Sequence, residues 1–355
     1  MRLARTLWLC GLGALALALA LAAPVSASAQ TPRPGQLAVA TNGGMHELSD
    51  EEIAAELDVA RDAGARWVRF DLNWAVVQED GPESWRWEPF DRMVEGARAR
   101  GLKVLGTIWY TPAWARPAGT PPHRPPTLVE DYARFAAAVA ERYEAHNVHH
   151  WEIWNEPNIP HAWAGGVSAK RYGLLLEAAA SAIRAVDSAA VIVSAGLSPA
   201  ATDGQSLAPA EFLRRLYRHG FAASFDHVGH HASTFPHLPV RQKAWSPWRQ
   251  MAWTKPSLRA VMRRHGDARK RIWLTEYGAP TGGNRAVSEA RQARILTEAY
   301  RLWAGYRWAG PLFWFAARDR GPVTWHNTCG LVREDYTPKQ AYGAYRAIAD
   351  RARRS

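Results

Sequence analysis

Apolar positions along this chain follow two alternating rhythms. Short β-type runs occupy 37–41, 67–74, 103–110, 148–154, 191–197, 225–231, 271–277 and 311–317, typified by "KVLGTIWY" and "RIWLTEY". Between them lie longer stretches with the three-four spacing of an amphipathic helix. "SDEEIAAELDVARDAGA" opens with Ser49 as an N-cap, carries acids in its first turn and reaches Gly64 near its end. "TLVEDYARFAAAVAERYEAH" repeats the same apolar spacing. Strands that alternate with helices predict a parallel sheet. Eight such units in about 300 residues predict an α/β fold of the closed (β/α)8 TIM-barrel type, in a single domain. An open doubly wound sheet would need a Gly-rich first turn, which is missing.

The first thirty residues break this rhythm. Arg2 and Arg5 precede a Leu/Ala run, then Pro24 and the small-residue tail "VSASAQ". That order reads as a secretory signal peptide over 1–29, followed by a catalytic domain over 30–355, and predicts a secreted, extracellular or cell-envelope protein. An uncleaved anchor helix is the rival reading, disfavoured by Pro24 and the Ser/Ala exit. Of the two cysteines, Cys10 lies in the signal and Cys329 has no intrachain partner, so stability rests on a core. A monomer is the expected state.

Composition adds a formal charge of +11, a pI near 9.9 and eighteen tryptophans. Basic residues come only in short pairs such as Arg263-Arg264, so a solvated surface explains the charge as well as an anionic partner does. The loop "VRQKAWSPWRQMAWTKP" interleaves Trp with Arg241, Lys243, Arg249 and Lys255. Nucleic acid is disfavoured by secretion, whereas an acidic polysaccharide would use both the rings and the charge. Trp67 and Trp273 are expected to pack against helices. Trp109, Trp114, Trp163, Trp245, Trp248, Trp253, Trp314 and Trp325 are expected near a cleft, where an indole stacks on a pyranose ring.

The chemistry concentrates at two strand ends. Alternation puts His150, Glu152, Trp154 and Glu156 on one face of "HHWEIWNEP", and Ile272, Leu274 and Glu276 on one face of "RIWLTEYGAP". Glu156 and Glu276 would then face each other across one barrel mouth, as double-displacement glycoside hydrolysis requires. The Trp surroundings are expected to raise the pKa of Glu156, while Arg69 holds Glu276 ionised. Glu152, deeper on the same face, is expected in a buried ion pair, for which Arg69 is one partner. The spacing H-x-x-H-H occurs twice, at His146, His149 and His150 and at His227, His230 and His231. The first triplet enters a strand at the bottom and the second leaves one at the top, so they do not share a metal.

"WEIWNEPN" and "WLTEYGAPT" resemble the acid/base and nucleophile segments of clan A glycoside hydrolases. "GTIWYTPAWA", "WVRFDLNW" and "CGLVREDYTPKQAY" are similar to the matching segments of compact bacterial family 39-like, or cellulase-like, glycosidases. The resemblance implies Glu156 as acid/base and Glu276 as nucleophile. It also implies a sugar contact at Asn155, a nucleophile support at Arg69, and cleft residues at Trp109, Trp163, His231 and Trp314. In one departure, Ala232 and Ser233 follow His231 where many relatives carry Pro and Tyr, so a hydroxyl near the nucleophile is lost. A retaining, endo-acting glycosidase on a polysaccharide or oligosaccharide is the resulting expectation, with no cofactor and no metal because water completes the second step. The alternatives are a family 5-like β-glucanase or mannanase and an inactive glycan-binding barrel.

Overall fold

The computed structural model describes residues 31–239 and 246–354. The signal peptide expected over 1–29, Arg241, Lys243 and Trp245 lie outside the described residues. Eight strands form: β1 Leu37–Ala40, β2 Trp67–Asn73, β3 Lys103–Trp109, β4 His150–Asn155, β5 Val191–Gly196, β6 Val228–His231, β7 Ile272–Tyr277 and β8 Ala309–Phe315. Every boundary lies within three residues of its predicted position. The ladders are parallel and run in the order β5-β4-β3-β2-β1-β8-β7-β6. Between β5 and β6 the ladder thins to two isolated bridges, Val193 to His227 and Leu197 to His230. The result is the single-domain (β/α)8 barrel expected from the alternation.

Helices shield the outside of the sheet. The first, α1 (Asp50–Ala63), starts at the capping box of Ser49 and Glu52 and stops at Gly64, whose φ of 96° suits a residue without a Cβ. The helix Val129–Glu144 packs along Ala169–Val186, and both bury one apolar face against the strands. Among the described residues no helix is long and apolar enough to cross a membrane.

Two hydrophobic layers follow from strand alternation. The larger lies between sheet and helices. A smaller one fills the lower barrel with Ala38, Ala40, Trp67, Leu105, Val193, Trp273 and Phe313. Trp67 and Trp273 therefore face the barrel interior, not the helices, with ring centroids 5.3 Å apart. The expectation failed because Ala38 and Ala40 on β1 leave room inside for two indoles. His150 stacks edge-on to Trp67 at 4.7 Å and His227 lies over Trp273 at 5.4 Å. Burial lowers both imidazoles to about 4, so this plug is uncharged at neutral pH.

Candidate active site

Above the plug, the strand ends change from apolar to ionic. Arg69 on β2 is the hub: Nε donates to Glu152 at 2.6 Å, Nη1 to Glu276 Oε1 at 2.8 Å and Nη2 to Asn155 Oδ1 at 2.9 Å. Burial alone would lower the Arg69 pKa, but the facing Glu152, Glu276 and Asp71 outweigh it and hold the guanidinium charged. Glu152 is fully buried and also accepts from Thr107 Oγ1 and the Gly196 N–H, which completes its partners. Removing either half of such a pair leaves a buried charge and costs about 3–5 kcal/mol.

Both strands that carry the facing glutamates depart from regular alternation. At the end of β4, Trp154 has φ 70° and Glu156 has φ 47°. A left-handed backbone is costly for side chains of this size, on the order of 1–2 kcal/mol each. The reversal turns Trp154 outward, where its indole N–H donates to Ala162 O, and lets both Asn155 and Glu156 line the cavity. On β7, Ile272 and Leu274 face the helix layer, and the register shifts before Tyr277 so that Glu276 pairs with His231. The single-face assignments made from period two therefore fail at Trp154 and at Glu276, while the two carboxylates still meet.

They meet at His231. Its Nδ1 donates to Glu156 Oε1 at 2.8 Å and lies 3.6 Å from Glu276 Oε2. These two oxygens are thus at most about 6.5 Å apart, the lower limit for an inverting carboxylate pair. Burial would raise the pKa of Glu156, but the hydrogen bond and charge of His231, with Ser198 and Arg69, hold it below the ordinary value. This reverses the expectation of a raised pKa, because an imidazole and not an indole is the nearest neighbour. Conversely, burial would lower His231, and Glu276 and Glu156 together raise it. Gly196 makes room for this ring: a Cβ there would stand 2.1 Å from His231 Nε2. His230 points the other way, to Leu197 O.

The cavity around this centre has a volume of about 950 Å³. Arg69, Trp109, Asn155, Glu156, His231 and Glu276 all line it. Five of the tryptophans expected near a cleft do not. Trp163 is buried against Trp154 and Tyr172, and Trp314 is buried against Tyr277 with its N–H on Cys329 O. Phe315, one residue later, faces the cavity in place of Trp314. Trp248 is likewise a core residue, Trp114 spends its N–H on Gln78 O and Trp253 does not line the cavity, so among the described residues Trp109 and Trp325 are the indoles that reach it.

Sequence reasoning missed Asp71 and Tyr110. Asp71 shares the inward face of β2 with Arg69, a spacing of two that was readable. Burial raises it to about 6, against the pull of Arg69 and with the push of Glu276 and Glu152. Tyr110 has φ 63°, and burial with the charges of Asp71 and Glu276 pushes its phenol far up. It brings a hydroxyl into the neighbourhood of Glu276 from β3. Ser233, after His231, accepts from the Gly278 N–H at 3.0 Å.

The family model described as Cellulase (glycosyl hydrolase family 5) matches residues 37–310. No curated protein matches. Among solved structures the chain is similar to a family 39 glycoside hydrolase from Bacteroides cellulosilyticus WH2, with TM-score 0.69 and 22% identity over 90% of this chain and 64% of that one. A monomeric beta-xylosidase from Caulobacter crescentus CB15 gives TM-score 0.69 and 18% identity over 90% and 69%. GH5_18 from Streptomyces cattleya, in complex with GlcNAc, gives 0.65 and 17% over 91% and 81%. At these identities the likeness establishes the fold. The chain spans just under two thirds of the first of these structures.

Proposed function

Because the chain belongs to the cellulase family of glycosyl hydrolases, family 5 within clan A, we propose that it is a retaining glycosidase acting on a polysaccharide or oligosaccharide. The observation that carries this reading is the meeting of Glu156 and Glu276 at one imidazole nitrogen, within about 6.5 Å of each other. A water would have to fit between an inverting pair, and this separation leaves it little room.

The partners divide the roles. Arg69 occupies Oε1 of Glu276, which leaves Oε2 for attack on the anomeric carbon. Glu156 protonates the leaving oxygen and then takes a proton from the water that releases the sugar. The same hydrogen bond holds Glu156 below and His231 above their ordinary values, so the pair favours a proton on the imidazole beside a carboxylate. A leaving oxygen docked on Glu156 draws that proton to the carboxylate as negative charge develops. Asn155 has its oxygen on Arg69, so its Nδ2 donors remain for a sugar hydroxyl.

Endo action fits a cavity of about 950 Å³, near the upper end of ligand pockets and open to a chain. Secretion rests on the signal read over 1–29. The family 5 match favours a glucan or mannan backbone over the xylan-type substrates of family 39 neighbours as the second substrate reading. An inactive glycan-binding barrel is disfavoured by the complete Glu156–His231–Glu276–Arg69 arrangement. Incubation with activated 2-fluoro sugars followed by peptide mass spectrometry tests the mechanism. Labelling of Glu276 is expected; tight glycan binding without labelling by any sugar would favour the binding barrel.

A further inference from the structure

Among the described residues two guanidinium groups line the cavity, those of Arg69 and Arg285, and they are in opposite situations. Arg69 is buried and spends its guanidinium on Glu152, Glu276 and Asn155. Arg285, in the loop after β7, has no hydrogen bond or ion pair among the described residues. Its Cζ lies 4.7 Å from the ring centroid of Phe235 and 5.0 Å from that of Trp325. The two rings are 5.7 Å apart. Stacking of this kind fixes the plane of a guanidinium while leaving its in-plane N–H donors unused.

His326, next to Trp325, ties this group to the chemistry: burial lowers its pKa, and Glu276, Glu156 and Arg285 all act on the same imidazole. The acids of the lining, Asp71, Glu156 and Glu276, all sit on the floor at strand ends. An anionic sugar is repelled there and is matched at the rim. Trp325 offers a partly exposed indole beside the free guanidinium, which is the pairing a charged pyranose calls for: a ring face and a planar fork for its carboxylate.

We propose that Arg285 and Trp325 form a flanking subsite that binds the carboxylate of a uronic acid residue, next to the neutral sugar cleaved between Glu156 and Glu276. This rests on the glycosidase reading and deepens it, since it makes the substrate an acidic polysaccharide with a neutral residue at the cleavage point. It does not use the basic loop at 240–245.

The test uses uronic acid polysaccharides and the same polymers after chemical reduction of their carboxyl groups to alcohols. Reducing-end release by the full chain is expected to favour at least one parent polymer over its reduced twin by about tenfold in kcat/KM, the scale of one charge-assisted contact. In Arg285→Met that ratio is expected to fall to about one, and in Arg285→Lys to recover only in part, because an ammonium lacks the fork. Equal rates on parent and twin for every polymer cleaved, or a ratio that survives Arg285→Met, overturns the subsite. If no polymer is cleaved, binding of the same pairs to Glu276→Gln decides it, and equal or absent binding of parent and twin overturns it. Fluorosugar labelling of Glu276 is read independently, so labelling without an acidic preference removes the subsite alone. Acidic preference in binding without labelling removes the glycosidase reading alone.

Discussion

The two ends of this barrel bury similar residue types and treat them in opposite ways. At the bottom, His150 and His227 lie against Trp67 and Trp273, and burial outweighs the nearby charges, holding them neutral to about pH 4. At the top, His231 is as deeply enclosed, but two carboxylates face it and raise its pKa. The lesson is that burial fixes no charge state by itself. A partner within hydrogen-bond distance reverses its sign.

The sharpest way to break the comparison is to remove chemistry at the top without touching the plug. Glu276→Gln is expected to lower kcat/KM by at least about a thousandfold, because the nucleophile is lost, while circular dichroism shows a folded barrel. The converse experiment is Trp273→Ala. It empties part of the plug and is expected to cost about 3–5 kcal/mol in denaturant unfolding, while turnover of the folded fraction is retained. A large loss of kcat with unchanged stability would show that the bottom layer acts on the site.

Smaller effects sharpen the comparison of the imidazoles. His231→Gln is expected to move the basic limb of the kcat/KM pH profile to lower pH, because Glu156 then holds the working proton only up to its own pKa. In stability, the raised His231 contributes fully below its ordinary 6.5 and loses this as pH rises through its folded value. The lowered Glu156 contributes fully above 4.5 and loses it as pH falls. The stability gap between wild type and His231→Gln should therefore be widest between about pH 4.5 and 6.5. A gap independent of pH would rule out the shared proton. The smallest effect is expected at Asp71. Its charge is disfavoured above about pH 6, so Asp71→Asn should gain roughly 1–2 kcal/mol at pH 7.5 and almost nothing near pH 4.

The barrel was readable in the sequence because period-two and period-3.6 patterns are local and redundant. Glu156 and Glu276 were readable as strand-end residues for the same reason, with Arg69 and Asn155 as their polar neighbours, whereas His231 came only with the family resemblance. The fates of Trp154, Trp163 and Trp314 were not. Trp154 leaves the inward face because of a left-handed φ, which no side-chain pattern encodes, and it then covers Trp163 on the outside. Trp314 turns to the core with Leu312 because β8 alternates regularly with Phe313 and Phe315 inward, and an all-apolar strand does not show which face is which. Arg285 and Trp325 come together only through loops that follow different strands, with nothing periodic to mark them.

The thin ladder between β5 and β6 has a further consequence. The Glu156 N–H donates to Gly196 O and the His231 N–H to Leu197 O, so these two residues straddle the place where the cylinder closes. The hydrogen bond between their side chains acts as a clasp over that joint. Breathing of the joint should become faster whenever the clasp is deprotonated, and amide hydrogen exchange at Leu197 and His231 should report the protonation of the Glu156–His231 pair. In this protein the titration of a side chain would then be legible as the mechanical tightness of its scaffold.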